Sequence, residues 1–284
     1  MAINKVGVLG AGTMGAGIAQ VCVEAGLQVV LVDIKEEFVA RGLSMTINNW
    51  DKAVSKGKIS AEEMAKYMGL LSTATDNKSF RDCDLVIEAV IENIAVKKSV
   101  FKELDEICAP QALLASNTSA LSITEIASAT QRPEKVIAMH FFNPVPAMKL
   151  IEVIPGGKTA PETTQAIMAF GKRIGKTPIS AQESPGFIVN RLLIPYINEA
   201  AIICEQGVAS PAEIDEAMKL GANMVIGPLA LADLIGIDVC LMIMEYFLAE
   251  MGDSKYRPAL AFKQKVRAGD LGRKTGKGFF DYSK

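Results

Sequence analysis

The sequence predicts an α/β protein, a doubly wound parallel sheet domain followed by a smaller all-helical domain. Three observations carry that expectation. A valine-rich run, Lys5–Leu9, passes through a glycine turn into a helical pattern and then into a second apolar run. Strand-like and helix-like segments then keep alternating as far as Ile174. Beyond Gln182 only helical spacing remains.

Taken in order, Lys5–Leu9 reads as a buried strand and Thr13–Ala25 as a helix. Gly26 ends that helix, because glycine accepts the left-handed conformation of a helix cap. Gln28–Val32 is a second buried strand. Strand, turn, helix, strand is a βαβ unit, which implies parallel strands and a right-handed crossover. A long helix is expected over Ile34–Ser55, with Lys52 and Lys56 on its polar side. Strands are expected at Asp84–Glu88, Leu113–Ser116, Val136–His140 and Lys149–Ile154, and helices at Ala95–Ile107 and Glu162–Ile174. The segment Gln182-Glu183-Ser184-Pro185-Gly186 has linker composition, which sets the domains at residues 1–185 and 186–284. Ile188–Glu205, Pro211–Leu220 and Val239–Met251 follow as helices by apolar spacing.

Half of the 284 residues are hydrophobic, enough for a packed core without disulfides. The formal net charge of −2 provides no overall positive field for nucleic acid. Five cysteines (Cys22, Cys83, Cys108, Cys204, Cys240) show no paired spacing, and a single histidine leaves little scope for a zinc site. Buried, reduced thiols are therefore expected. The chain runs from Met1 almost directly into a strand without a leader pattern, and no apolar run approaches the ~18 residues of a membrane span. These features suit a cytoplasmic protein that uses neither membrane nor nucleic acid.

Gly10-Ala11-Gly12-Thr13-Met14-Gly15 is a GxGxxG pattern, weak alone but here placed after a strand and at the start of a helix. Gly10 permits the tight turn, Gly12 lets the backbone approach a pyrophosphate, and Gly15 lets helix and strand pack closely. Thr13 and Met14 supply N–H groups at the positive end of the helix. Asp33 lies 18 residues after Gly15, at the end of the second strand, where a carboxylate meets the adenine ribose hydroxyls. A carboxylate there repels a 2′-phosphate, so NAD is favoured over NADP, although Lys35 close by softens the preference. A helix-capping role is the plain alternative for Asp33.

His140 ends an apolar strand and runs into Phe141-Phe142-Asn143-Pro144, at the strand end where open α/β sheets bind ligands. Glu152 follows twelve residues later within Leu150–Ile154, and the prolines between them turn the second strand back beside the first. A carboxylate in so apolar a strand needs a partner, and His140 is the candidate. Such a pair fixes the imidazole tautomer and suits general acid–base work. Ala115-Ser116-Asn117-Thr118-Ser119 closes another strand with small polar groups able to bond a carbonyl oxygen or an amide, or simply to form a turn. Asn190 is expected one turn into the first helix of the second domain.

GAGTMGAGIAQ from Gly10, ASNTSALSI from Ala115, MHFFNP from Met139, PGFIVNR from Pro185 and GRKTGKGFFDY from Gly272 together resemble the 3-hydroxyacyl-CoA dehydrogenase family, over the whole chain. The resemblance implies a Rossmann-type NAD-binding domain and a helical domain that mediates homodimer formation. It implies NAD-dependent interconversion of (S)-3-hydroxybutyryl-CoA and acetoacetyl-CoA. His140 is then the general acid–base and Glu152 its electrostatic partner, while Ser119 and Asn190 hold the reacting oxygen and the imidazole. Asp33, Glu92, Lys97, Ser119, Asn143 and Lys274 match family contacts to NAD, and Asn49 and Lys56, with Lys52 on the same helix face, match contacts to CoA. One departure is the Met224-Val225-Ile226 run, where family members commonly carry a proline. Two rival readings remain open, a dehydrogenase of a non-CoA hydroxy acid and a non-catalytic dinucleotide-binding protein.

Overall fold

A computed structural model describes residues 3–283, and backbone packing divides the chain after Ser184 into a sheet unit and a helical unit. In the sheet unit, β1 (Lys5–Leu9) leads through the glycine turn to α1 (Thr13–Glu24) and β2 (Gln28–Val32). There follow α2 (Glu36–Ser55), α3 (Ala61–Leu70), β3 (Leu71–Ala74), β4 (Leu85–Glu88), α4 (Ile94–Ile107), β5 (Leu113–Ser116) and α5 (Ile123–Ala127). The unit closes with β6 (Val136–Phe141), β7 (Leu150–Pro155), α6 (Pro161–Arg173) and β8 (Thr177–Ser180). The strands form one sheet in the order β3-β2-β1-β4-β5-β6-β7-β8. Neighbours are parallel from β3 to β6, β7 pairs antiparallel with β6, and β8 runs parallel to β7.

The strands next to the sheet centre are apolar along their whole length because helices cover both faces. Val29–Val32, Leu85–Glu88 and Leu113–Ser116 are buried at every position. Helix α1 is buried from Gly15 to Val23, which explains its lack of a polar stripe. Helices α1, α2 and α3 are tied together by Trp50, whose Nε1–H donates to Glu24 Oε1 at 2.9 Å and whose ring lies 5.6 Å from that of Tyr67.

The expected elements are present, with small shifts at their ends. The helix expected from Ile34 begins at Glu36, because Ile34 is exposed and Lys35 is extended at φ −138°. Four elements of this unit, α3, β3, α5 and β8, were not anticipated. Helix α3 carries a readable signal, the Ser60–Glu63 capping box, but none of its residues is fully buried. Strands β3 and β8 have four residues each and form the two sheet edges, where half-exposed positions blur the apolar pattern. Pro178 in β8 would argue against a strand anywhere but an edge.

The helical unit comprises α7 (Val189–Glu205), α8 (Pro211–Ala222), α9 (Pro228–Ile235), α10 (Ile237–Met251) and α11 (Leu260–Ala268). Its core is formed by Ile194, Ile197, Leu229, Met244, Phe247 and Phe262. Among the described residues of this unit the only strand-like pairs are the isolated bridges Gly272–Lys277 and Lys277–Asp281. Two buried carboxylates organise its backbone. Asp215 accepts from the N–H groups of Leu229 and Ala230, each at 2.8 Å, at the start of α9. Asp233 accepts from Phe279 and Phe280 N–H at 2.8 and 2.9 Å and from the Tyr282 hydroxyl at 3.1 Å, so the closing GRKTGKGFFDY motif is folded around it.

Candidate active site

The glycine turn is built by close packing. Gly10 has φ +102°, and a Cβ at Gly15 would sit 1.7 Å from the Gly10 carbonyl oxygen. Gly12 is different: a Cβ there would meet nothing within 4 Å, so its lack of a side chain leaves space outside the turn. Gly12 is the N-cap of α1, no side chain caps the helix, and the first turn holds no acidic residue. The N–H groups around Thr13 and Met14 therefore present an uncompensated positive end. Exposed donors, an open position at Gly12 and a turn beside the reversal of strand order between β1 and β4 together fit a dinucleotide pyrophosphate.

Asp33 secures this turn. Its Oδ2 accepts from Ala11 N–H and its Oδ1 from Ile34 N–H, each at 2.7 Å. It does not cap α2, whose N-cap is Lys35. Asp33 stays half-buried, with its carboxylate held at the end of β2.

His140 is the last residue but one of β6 and faces Glu152 directly across the antiparallel register with β7. Its Nδ1 lies 2.7 Å from Glu152 Oε2, with side-chain exposures of 7% and 1%. So dry a pair makes the contact a strong one, and it directs the Nδ1 proton toward the carboxylate. Asn117 braces the same strand end, its Oδ1 accepting from Phe141 N–H at 2.9 Å. The turn between β6 and β7 contains Asn143, exposed, before a cis bond to Pro144. Lys176, buried under this turn, donates from Nζ to the carbonyls of Val145 and Met148 at 2.5 and 2.8 Å. Burial holds the Lys176 ammonium below the usual lysine range, with the Lys149 charge adding to the effect. Nothing in the sequence separates Lys176 from the exposed Lys172 of α6, and sequence reasoning missed it.

The carboxyl ends of β4 and β5 carry a second polar cluster. Glu92 Oε1 accepts from the Thr118 hydroxyl at 2.6 Å, Ser119 N–H at 2.7 Å and the Ser119 hydroxyl at 3.2 Å. Lys97 is almost fully buried and lies 2.6 Å from Glu88 and 3.3 Å from Glu92. Glu88, fully buried at the end of β4, also escaped the sequence reading, because it looks like the polar end of an apolar strand.

Asn49 and Lys52 lie along the last turns of α2 and Lys56 caps its C-terminus, all three exposed. A cleft of about 300 Å³ lies between α1, α2 and the β6–β7 turn, lined in part by Gly17, Met45, Asn49, Lys52, Asn143 and Pro144. Asn49 has a defined polarity. Its Nδ2 donates to Gln20 Oε1 at 2.9 Å, and Gln20 Nε2 donates to Glu24 Oε1 at 2.8 Å. Since a carboxylate only accepts, Asn49 turns its carbonyl oxygen away from Gln20.

Two candidate residues belong to the helical unit. Asn190 is half-buried in the first turn of α7, earlier in the helix than expected because the helix begins at Val189. Lys274 is exposed and ion-paired with Asp238 at 2.6 Å.

Residues 5–184 match the family model of the 3-hydroxyacyl-CoA dehydrogenase NAD binding domain, and residues 186–282 match that of the C-terminal domain. The chain is 51% identical over 280 residues to 3-hydroxybutyryl-CoA dehydrogenase of Clostridioides difficile, covering 99% of this chain and 100% of the relative. It is 41% identical over 287 residues to the human mitochondrial hydroxyacyl-coenzyme A dehydrogenase, covering 99% of this chain and 91% of that one. Among solved structures, (S)-3-hydroxybutyryl-CoA dehydrogenase of Ralstonia eutropha superposes with a TM-score of 0.97 at 47% identity, with full coverage of both chains. The glycine turn, the buried His–Glu pair and these end-to-end similarities agree, and the chain belongs to the 3-hydroxyacyl-CoA dehydrogenase family.

Proposed function

We propose that the chain catalyses the reversible NAD(H)-dependent oxidoreduction of (S)-3-hydroxybutyryl-CoA and acetoacetyl-CoA. The observation that carries this reading is the buried 2.7 Å contact between His140 Nδ1 and Glu152 Oε2 at the carboxyl edge of a sheet with a dinucleotide-type glycine turn. NAD(H), when bound, supplies or accepts the hydride. The N–H groups of the Gly10–Gly15 turn and the Asp33 carboxylate hold its pyrophosphate and adenine ribose, with Glu92, Lys97, Ser119 and Asn143 completing the site in the sheet unit; the family resemblance adds Lys274 as a cofactor-binding residue.

His140 moves the proton. With Nδ1 engaged by Glu152, the other ring nitrogen, Nε2, exchanges the proton with the substrate oxygen: it donates during reduction of the 3-oxo group and accepts during oxidation of the alcohol. Glu152 holds the ring in this tautomer and stabilises the imidazolium before it donates. Ser119 orients the reacting oxygen, and the family resemblance gives Asn190 a further positioning role. Lys52 and Lys56 attract the anionic end of CoA, and Asn49 offers an acceptor to an N–H donor. The CoA assignment comes from the relatives named above and from this cationic face of α2.

We further propose a homodimer of a reducing cytoplasm. The helical unit exposes Leu192, Leu220, Val225 and Leu234, apolar surface that a second copy would cover, and all five cysteines are free thiols.

The test is NADH oxidation by acetoacetyl-CoA at neutral pH, comparing the native protein with His140→Ala. Native turnover that falls about 10²–10⁴-fold in the variant is the expected result, the range for loss of a general acid. No native turnover, despite NADH binding, overturns the acyl-CoA assignment.

A further inference from the structure

We propose that Glu88 is a positioning residue of the cofactor site, acting through Lys97 and Ser116 to set Glu92 and Ser119; the inference rests on the dehydrogenase reading and deepens it. Glu88 is the last residue of β4, opposite Leu9 of β1 and Ser116 of β5, and has no exposed surface. A carboxylate so deep is tolerated only when its oxygens are fully engaged. Glu88 meets that demand. Its Oε1 accepts from Val90 N–H at 2.7 Å and from Lys97 Nζ at 2.6 Å, and its Oε2 accepts from the Ser116 hydroxyl at 2.6 Å.

The chain of contacts continues outward from both partners. Ser116 Oγ accepts from Thr118 N–H at 3.2 Å, fixing the start of the loop that carries Ser119. Lys97, which Asn93 places in the first turns of α4 by capping that helix, reaches Glu92 Oε2 at 3.3 Å. The other oxygen of Glu92 holds the Thr118 hydroxyl and both the N–H and the hydroxyl of Ser119. Lys97 is thus the shared counter-ion of two carboxylates, one in the sheet floor and one at the surface. The loops after β4 and β5, which meet at the ligand edge, are cross-braced through it.

The charges make the brace directional. With Glu88 ionised, Lys97 is held at the floor and Glu92 is left to its hydroxyl and amide donors. Without that charge, Glu92 is the only carboxylate left to the ammonium, and the pull of Lys97 draws it from Ser119. A network that only stabilised the two loops would change melting temperature while leaving cofactor affinity of the folded protein unchanged.

The test uses Glu88→Gln, which keeps the shape and removes the charge, and the double variant Glu88→Gln with Lys97→Met. The NADH dissociation constant is measured by fluorescence titration without acyl thioester, alongside melting temperature. Glu88→Gln is expected to bind NADH about tenfold more weakly, a difference of about 1.4 kcal/mol. The double variant, with neither buried charge left unpaired, recovers melting temperature. Native NADH affinity in folded Glu88→Gln overturns the proposal, whatever the melting temperature. Failure of the native protein to bind NADH would instead overturn the dehydrogenase reading together with this one, so the two failures are distinguishable.

Discussion

The sheet unit and the helical unit both bury carboxylates, and they use them differently. In the helical unit, Asp215 and Asp233 accept mainly from backbone N–H groups, holding the start of α9 and the C-terminal segment. In the sheet unit, Glu88 and Glu152 face side chains that carry or exchange protons, Lys97, Ser116 and His140. A backbone amide cannot change its charge, so a fully buried carboxylate that meets no ionisable side chain is scaffolding. A carboxylate spent on a titratable side chain controls where a proton or a counter-ion sits. Burial alone therefore does not identify a functional acid; the partner does.

That contrast is broken most forcefully at Glu152. Glu152→Gln keeps the shape of the pair but loses the charge that stabilises the imidazolium, so turnover should fall by roughly 10²-fold or more. NADH affinity, measured by titration, should stay close to native. A variant that retained native turnover would place Glu152 with the scaffolding carboxylates.

The glycine turn offers the same separation between neighbours in sequence. Gly15→Ala forces a methyl group against the Gly10 carbonyl oxygen, 1.7 Å from the Cβ position, and should unfold the turn and lower melting temperature sharply. Gly12→Ala adds a methyl group to open space, so the protein should melt as the native chain does while NADH binding is lost. If Gly12→Ala bound NADH normally, the pyrophosphate would not approach at this position.

The smallest effect on activity is expected at Asp215. Asp215→Ala leaves two backbone N–H groups without acceptors and should lower stability by about 1–3 kcal/mol, measured by denaturant unfolding. Activity per folded molecule should be unchanged. A selective loss of activity would show that the helical unit also uses its buried charge for chemistry.

How far each feature was legible follows from the range of its determinants. The βαβ start was readable because Lys5–Leu9, the glycines and Gln28–Val32 form a local pattern that needs no distant partner. The His140–Glu152 pairing was readable because the intervening prolines force a reversal over a short segment. Strands β3 and β8 were not readable, since edge strands of four residues acquire their identity from the neighbour they pair with. Lys176 and Lys97 were opaque in another way. A buried lysine and an exposed one look alike in sequence until carbonyls or carboxylates from remote segments surround one of them. Lys97 could be named only through family resemblance, and nothing in its neighbourhood of the chain announces that its ammonium lies inside.

The sequence by itself determined the α/β class, the glycine turn with Asp33 at the end of the following strand, and the pairing of His140 with Glu152. Each rests on spacing within a few tens of residues, where chain geometry leaves few alternatives. Tertiary structure alone decided which polar groups became buried partners. It set Glu88 against Lys97 and Ser116, Gln20 against Asn49, and Lys176 beneath the β6–β7 turn. Those choices depend on strand order and on which helix covers which edge, and a hydrogen bond between segments distant in sequence leaves no periodic trace in either of them.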